Sequence, residues 1–119
     1  LELYLAEPTE PEPDPPRSDK QRGQIISQWW LKCEADPSYF HDYIHKPASL
    51  GTEFDFALVD GRARNFCMEQ AYSLLRPGGL MVLHDAQRDE YRATLDKFPR
   101  VVRLEPWVQG QVVLVRKPE

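Results

Sequence analysis

Two short apolar runs stand out in the hydrophobic pattern of the chain, and each is followed by an aspartate. FDFALV at residues 54–59 precedes Asp60, and LMVL at residues 80–83 precedes His84 and Asp85. Apolar runs of this length predict strands, and LMVL is typical of a strand buried on both faces. The pattern therefore predicts two strands whose carboxyl ends carry ionisable side chains.

A segment of helix length joins the two predicted strands. Over residues 63–76 the apolar positions fall on one helical face; they are Phe66, Cys67, Ala71, Leu74 and Leu75. We expect Pro77-Gly78-Gly79 to stop this helix and turn the chain, because proline cannot continue a helix and glycine tolerates positive φ. The result is a βαβ unit with parallel strands, and open α/β sheets bind ligands at the carboxyl ends of such strands.

The last third of the chain predicts a helix and a strand pair. Apolar residues at positions i, i+4 and i+7 indicate a helix over residues 88–98, and strands are expected at residues 101–104 and 111–116. From residue 54 the order is therefore β-α-β-α-β-β, an α/β sheet finished by a hairpin.

The first 24 residues form a separate segment by composition. Residues 1–6 alternate apolar and polar side chains, which predicts a strand, and residues 7–24 predict an acidic, proline-rich loop. A helix is expected over residues 24–34, where Trp29, Trp30 and Cys33 recur at helical spacing. A second short helix is then expected, capped by Ser38 and ended at Lys46-Pro47, because the residue before a proline avoids helical geometry.

Charge and hydropathy argue against two classes of partner. The net charge of the 119 residues is −4 with no dense basic run, whereas nucleic-acid binding depends on a basic surface. No apolar run approaches the roughly 20 residues that a membrane span needs. Cys33 and Cys67 lie on helical patterns with apolar neighbours, which favours reduced thiols in a cytoplasmic protein over a disulfide. We expect no nucleic-acid partner, no membrane association and a cytoplasmic location.

Three motifs then carry a resemblance to a known family. A strand ending VDG at residue 61, a helix ending LLRPGG at residue 79 and a strand ending HDA at residue 86 resemble the second half of class I S-adenosylmethionine-dependent methyltransferases. VDGRARNFC and HDAQRDEY are most similar to uncharacterised bacterial proteins assigned to that family. The hairpin is similar to the family's last two strands, one of which runs antiparallel. The resemblance implies that residues 25–119 are the C-terminal part of a Rossmann-like methyltransferase domain.

The chain lacks two elements of that family. Members carry a glycine-rich loop after their first strand, which approaches the cofactor, and an acid ending their second strand, which binds its ribose. No G-x-G occurs in this sequence, and the chain begins at Leu1 without an initiator methionine. We expect both elements to precede Leu1, so that the chain is a fragment of a larger or truncated enzyme.

The missing strands have a structural consequence. Residues 1–6 resemble the family's third strand weakly, and in the family's sheet the first two strands lie between the third and the fourth. Without them, the strand at residues 54–59 exposes an unpaired apolar edge, which favours self-association.

Asp60 and Asp85 are the leading catalytic candidates, because carboxylates that end neighbouring strands can approach each other over the crevice. The resemblance assigns Asp60 and Gly61 to the cofactor, S-adenosylmethionine. The two aspartates also resemble metal ligands of cation-dependent O-methyltransferases, but those enzymes have an asparagine where this chain has Ala86, so a divalent metal is not expected. The alternative is that Asp60 caps a turn and Asp85 caps the next helix.

His84 is the candidate general base, because imidazole titrates near neutral pH. Arg62, Arg64 and Arg88 are candidate substrate-binding residues, which would hold a carboxylate or phosphate on the acceptor. Ion pairs with Asp60, Asp85 and Asp89 are the favoured alternative for these arginines and for Arg92. Tyr91 is interpreted as a core residue.

Two further sets of residues are interpreted as structural. His41 and His45 have the spacing of the H-E-x-x-H zinc motif, but an aspartate replaces the glutamate and no third ligand follows. A surface helix face is therefore favoured. Trp29, Trp30 and Trp107 are interpreted as core residues, with a substrate lid at the first two as the alternative.

Three hypotheses on function remain. The first is S-adenosylmethionine-dependent methyl transfer to an unknown small acceptor, within a larger enzyme. The second is a non-catalytic Rossmann-like half-domain that acts through a partner chain. The third is another Rossmann-like enzyme that uses a nucleotide sugar or a phosphate, which a thermal-shift ligand screen would distinguish.

Overall fold

The computed structural model describes Ala6 and residues 28–119. In chain order the elements are α1 (described over residues 28–35), a 3₁₀ turn Pro37–Phe40, α2 His41–Ser49, β1 Phe54–Val59, α3 Arg64–Leu74, β2 Leu75–Leu83, a second 3₁₀ turn Asp89–Tyr91, α4 Arg92–Leu95, β3 Val101–Arg103 and β4 Val113–Arg116. The expected α/β class and the β-α-β-α-β-β order are confirmed. Residues 1–5 and 7–27, with the expected N-terminal strand and proline-rich loop, lie outside the described residues, and Ala6 belongs to no helix or strand.

The four strands of the described part form one sheet in the order β1-β2-β4-β3. β1 and β2 run parallel, with Val59 opposite Leu83. β4 runs antiparallel to both β2 and β3, so the second strand of the hairpin lies inside the sheet and the first at its edge. The parallel register places the carboxyl ends of β1 and β2 at the same edge, which brings Asp60 beside His84.

The main core lies on one face of this sheet. Its fully buried members include Met68 from α3, Met81 and Leu83 from β2, and Tyr91, which confirms the interpretation of Tyr91. Met68 is buried although the sequence did not place it on the apolar face of α3. Cys67, which was placed on that face, is only half-buried.

The other face of the sheet is open among the described residues. Phe56 and Leu58 of β1 are 56% and 61% exposed, and Val102 of β3 is 56% exposed. The register sets Leu58 beside Val82 of β2, which is half-buried. The expectation that the LMVL strand is buried on both faces is therefore wrong for this chain. Within the described residues β1 also forms an edge of the sheet.

The segment Pro77-Gly78-Gly79 lies inside β2 and not in a turn before it, so that prediction is wrong. The helix ends because Leu75 is already extended, with ψ 141°. Leu75 pairs with Phe54 and Leu80 pairs with Phe56, so β2 carries extra residues opposite a short stretch of β1. Gly78, at φ +82°, donates its N–H to the carbonyl of Lys117 at 2.9 Å. The residue after β4 therefore holds this irregular segment in the sheet.

Helix boundaries also differ from the expected ones. The cap of the first 3₁₀ turn is Asp36, whose carboxylate accepts hydrogen bonds from the N–H and hydroxyl of Ser38 at 2.9 and 2.7 Å. α2 continues through Pro47, because a proline in the last turn of a helix removes a single helical hydrogen bond. The helix expected over residues 88–98 is reduced to a 3₁₀ turn and the four residues of α4. The helix expected to end at residue 34 extends to residue 35.

A second, smaller core joins α1 and α2 to the start of α3. Trp29 is 9% exposed and its ring centre lies 5.9 Å from that of Phe40. Trp30 is half-buried, whereas Trp107 is 43% exposed, so the core interpretation of Trp107 is wrong. Cys33 is fully buried, and neither it nor Cys67 is in a disulfide. No helix among the described residues has the length and apolar content needed to cross a membrane.

Candidate functional site

Three ionisable side chains meet at the carboxyl ends of β1 and β2. Asp60 directly follows β1, and His84 and Asp85 directly follow β2. One nitrogen or oxygen atom from each of the three lies within 4.8 Å of the others. His84 Nδ1 is 3.2 Å from Asp60 Oδ1 and 3.5 Å from Asp85 Oδ2. The two aspartates singled out from the sequence therefore face one histidine nitrogen.

The backbone explains why Asp85 turns toward His84. Asp85 has φ +57°, the left-handed conformation that aspartate tolerates better than most residues. Asp85 does not cap the following element, because the second 3₁₀ turn begins without a hydrogen bond from a capping side chain. The capping alternative is therefore wrong for Asp85, whereas the Asp60 carboxylate contacts His84 and Arg64.

Arg64 links the ends of the two strands. Its Nε donates to the carbonyl of Gly61 and its Nη1 to the carbonyl of His84, both at 2.8 Å. Nη2 lies 3.4 Å from Asp60 Oδ1, and Nη1 lies 3.8 Å from Asp85 Oδ2. The side chain is only 6% exposed. The ion-pair alternative therefore describes Arg64, whose side chain is buried although that of Asp60 is 49% exposed.

Arg88 reaches the same cluster from the other side. Its Nη2 lies 3.6 Å from Asp85 Oδ2, and its Nη1 donates to the Tyr91 hydroxyl at 3.5 Å. The guanidinium carbon lies 5.3 Å from the ring centre of Trp30, a distance at which a cation is attracted to an aromatic face. Arg88 is half-exposed, so unlike Arg64 it is accessible from solvent.

Arg62 and Arg92, the other two candidate arginines, form no described ion pair with the aspartates of the Asp60-His84-Asp85 cluster. The guanidinium of Arg62 lies over the Trp29 ring at 5.9 Å, and Arg92 pairs with Asp89 at 3.2 Å. The ion-pair alternative is confirmed for Arg92. The guanidinium groups of Arg62 and Arg88 both contact tryptophan rings of α1. This helix therefore lies beside the crevice, which is the position that a substrate lid would occupy.

Glu34 is a site residue that the sequence did not reveal. It is 8% exposed, and its Oε2 accepts a hydrogen bond from the backbone N–H of Arg64 at 2.9 Å. Its Oε1 is buried with no hydrogen-bond partner among the described residues. Burial raises the pKa of Glu34 more than the nearby N–H groups and the charge of Arg64 lower it. The only signal in the sequence is that Glu34 follows Trp30 by four residues, a carboxylate on an apolar helical face.

The loop between β3 and β4 closes one side of the crevice. The N–H of Ala86 donates to the carbonyl of Gln111 at 2.9 Å, which fixes the end of the loop to the residue after Asp85. Gly110, at φ +101°, lies directly against the cluster: a β-carbon there would overlap Asp85 Oδ1 and come within 3.1 Å of His84 Nε2. Glycine is required at this position by both conformation and space.

A cavity of about 490 Å³ lies along the free side of β1, between α2 and α3. Ligand sites commonly have volumes of this order. Its lining is mainly apolar, and the polar side chains that line it are Tyr43, Lys46, Asp60 and Gln70. Asp60 and Gly61, which follow β1, line one end of the cavity. The Tyr43 hydroxyl lies so close to Gly61 that a β-carbon at this position would overlap it.

These residues fit S-adenosylmethionine only in part. The cofactor presents ribose hydroxyls, an amino acid and an adenine, each of which needs a polar partner when it is buried. Asp60 is suitably placed to accept from a hydroxyl or an amine at the end of the cavity. The other described lining residues do not complete a site for the whole molecule.

A divalent metal fits the donor atoms but not their surroundings. Two carboxylates and an imidazole form a donor set that transition metals accept. However, the guanidinium of Arg64 already lies between the two carboxylates, and Arg88 adds a second positive charge beside Asp85. The described residues therefore do not fit a metal at this position.

Two other sets of residues carry no comparable arrangement. His41 and His45 lie on α2 with ring centres 4.6 Å apart, and within residues 28–119 they belong to no group of three metal-ligand side chains. His41 is exposed, in agreement with a surface helix face. Burial raises the pKa of Cys67 to about 12, so its thiol is a poor nucleophile at neutral pH.

Comparisons with known proteins give a likeness at the level of solved structures. No protein-family model matches the chain, and no curated protein matches it. Among solved structures, the chain is similar to the crystal structure of selenomethionine-substituted CurJ carbon methyltransferase. The identity is 17% and the TM-score 0.46, over 82% of this chain and 40% of that chain. This chain thus spans about two fifths of that structure. A likeness of this degree carries no argument about the reaction, and the chain itself defines a mixed α/β domain with an Asp-His-Asp cluster at the strand ends.

Proposed function

We propose that this chain is part of an enzyme that transfers the methyl group of S-adenosylmethionine to a small acceptor, with His84 as the general base. The observation that carries the proposal is the orientation of His84 at the ends of two parallel strands. Its Nδ1 faces Asp60 and Asp85, so the tautomer that donates from Nδ1 to Asp60 leaves Nε2 as an acceptor.

The geometry suits proton removal from an acceptor. A carboxylate that accepts from Nδ1–H holds the ring in one tautomer and stabilises the imidazolium that forms, as in other histidine bases. The His84 side chain is 36% exposed, so an acceptor can reach it. As the nucleophilic atom of the acceptor forms its bond to the methyl group, Nε2 takes the proton from that atom. Asp60 and Asp85 line the crevice, and both carboxylates lie beside the ring nitrogen.

S-adenosylmethionine, when bound, supplies an electrophilic methyl group on a positively charged sulfur. Within this chain Asp60 and Gly61 are the residues proposed to contact the cofactor, because both line the cavity at the point where β1 ends. The remaining cofactor contacts would come from outside the described residues, as the absence of a G-x-G motif from the sequence also suggests.

The test is a transfer assay with S-adenosyl-[methyl-³H]methionine and a panel of phenols, amines and carbon acids. It uses both the 119-residue chain and the longest open reading frame that contains it. We expect His84→Asn to lower transfer by roughly 10²–10⁴-fold, the usual contribution of a general base. His41→Asn, the same change on the exposed face of α2, should leave the rate unchanged.

Calorimetric titration with S-adenosylmethionine tests the cofactor contact separately. Asp60→Asn should weaken binding, because a neutral amide accepts more weakly from a hydroxyl or an amine than a carboxylate does. Equal rates for the wild type and His84→Asn, or no cofactor binding by any form that contains residues 1–119, would contradict the proposal.

A second candidate function, a non-catalytic half-domain that acts by pairing, rests on the open side of the sheet. Among the described strands β1 lies at the edge of the sheet, and its Phe56 and Leu58 are more than half exposed. Unpaired apolar edges pair with other strands, including those of a second copy. Sedimentation equilibrium should therefore detect dimers of the 119-residue chain. Leu58→Lys should abolish them, because a charge blocks strand pairing, whereas Leu31→Lys on exposed α1 should not.

A further inference from the structure

Arg64 differs from every other lysine and arginine among residues 28–119 in being buried. It sits at the first position of α3, immediately after Ala63, whose φ of +53° turns the chain into the helix. Two hydrogen bonds to carbonyls, at Gly61 after β1 and His84 after β2, fix the guanidinium in one position. Since both bonds are 2.8 Å long and charge-assisted, the side chain is not free to swing away from the crevice.

The guanidinium lies directly beside the place where a metal ion would bind. An ion held by Asp60, His84 and Asp85 would lie within about 2.0–2.6 Å of each ligand atom. The Arg64 nitrogens are themselves 3.4 and 3.8 Å from the aspartate oxygens that would serve as ligands. Such an ion would therefore lie next to a guanidinium, which cannot lose its proton in proteins.

The formal charges of the cluster lead to the same conclusion. Two aspartates contribute −2, and Arg64 and Arg88, each within 4 Å of an aspartate oxygen, contribute +2, which gives zero with a neutral histidine. A divalent ion would leave an excess of +2 in a partly buried crevice, where charges interact more strongly than in water. Removal of Arg64 would leave −1, which attracts a cation.

We propose that Arg64 is the resident cation of this crevice: it holds Asp60 and Asp85 in position and excludes divalent metal, and the Asp60-His84-Asp85 cluster becomes a metal site when the positive charge at position 64 is removed. The proposal does not depend on methyl transfer, because it concerns only the charges and distances within the chain. It assigns Arg64 to positioning and not to binding of the acceptor.

The first experiment titrates the ¹⁵N-labelled 119-residue chain with MnCl₂ and follows amide line broadening. In the wild type we expect no selective broadening at residues 60, 84 and 85. Selective broadening there, reversed by EDTA, would overturn the proposal without any need for a variant.

The second experiment repeats the titration on Arg64→Met, which keeps the length of the side chain but removes its charge. Selective broadening at these residues should appear at Mn²⁺ concentrations at least about tenfold below any that affect the wild type. Arg62→Met is the matched control, because Arg62 lies over Trp29 and has no described contact with the aspartates. Arg64→Lys, which keeps a positive charge, should bind no more Mn²⁺ than the wild type.

The dispersion of the amide spectrum reports whether each variant is folded. If Arg64→Met is unfolded, the same Mn²⁺ titration is made on Arg64→Gln. This variant also lacks the charge, but its amide can still donate to the Gly61 or His84 carbonyl. A folded, uncharged variant without gain of Mn²⁺ binding would overturn the proposal, as would equal gains in Arg64→Met and Arg62→Met. The proposal is supported if the wild type binds no Mn²⁺ and only the uncharged Arg64 variants gain Mn²⁺ binding. This conclusion holds whatever the outcome of the methyl-transfer assay.

Discussion

Replacement of Gly110 by alanine tests whether the β3–β4 loop sets the geometry of the crevice. The added β-carbon would overlap Asp85 Oδ1 and lie 3.1 Å from His84 Nε2, so the Asp85 carboxylate must move. The same change also forces a β-carbon onto a backbone with φ +101°. Gly51→Ala is the matched control, because Gly51 has φ +66° with no atom within 4 Å of the new β-carbon.

The two variants separate backbone strain from the displacement of Asp85. Left-handed strain alone should cost Gly51→Ala about 1–2 kcal/mol of unfolding free energy. Gly110→Ala should lose about 1–3 kcal/mol of unfolding free energy through backbone strain, because alanine adopts φ +101° less readily than the φ +66° of Gly51. It should lose about 1–2 kcal/mol more as Asp85 leaves His84, Arg64 and Arg88, which lie 3.5–3.8 Å from its Oδ2. The expected total for Gly110→Ala is therefore about 2–5 kcal/mol.

Urea denaturation measures both free energies, and ¹H–¹⁵N spectra of the imidazole report the surroundings of His84. We expect the His84 ring signals to shift in Gly110→Ala and to stay in place in Gly51→Ala. If the two variants lose the same stability and neither shifts the His84 signals, the reasoning that Gly110 packs against the cluster is refuted.

Two further predictions concern buried ionisable groups. Because burial raises the pKa of Glu34, its contribution to stability is present below its ordinary value of 4.5 and is lost as the pH rises. Glu34→Gln should therefore flatten the decline in stability as the pH rises above 4.5, as measured by urea midpoints, and a parallel decline in both proteins would contradict the pKa shift. The pKa of about 12 predicts that Cys67 reacts slowly with iodoacetamide at pH 8 and rapidly after addition of urea, as followed by mass spectrometry. Rapid alkylation of the native protein would show that the thiol is not protected.

The strands and the meeting of Asp60 with Asp85 could be predicted because they follow from local periodicity. An apolar run fixes where a strand lies, and two parallel neighbours bring their ends to one edge whatever the rest of the chain does. The hairpin was predictable for the same reason, but its pairing was not. Nothing local in β4 indicates that it lies between β2 and β3.

The burial of Arg64 and Glu34 could not be predicted, because charged residues are nearly always exposed unless they are paired. Their partners are a carbonyl after a distant strand and a backbone N–H thirty residues along the chain, which no spacing rule reveals. The Pro77-Gly78-Gly79 segment was misjudged in the same way, since its partner, Lys117, is a residue after the last strand. Periodicity predicts elements, whereas long-range hydrogen bonds decide how they end.

The position of β4 has a consequence for how the molecule is made. β4 is synthesised after the other three strands, yet it pairs on both sides, with β2 and with β3, and the residue two positions before it holds the backbone beside Asp85. During translation β2 therefore lacks its antiparallel neighbour, and the crevice lacks one wall, until residue 116 has emerged. A stop codon or frameshift at or before residue 113 would remove an inner strand of the sheet.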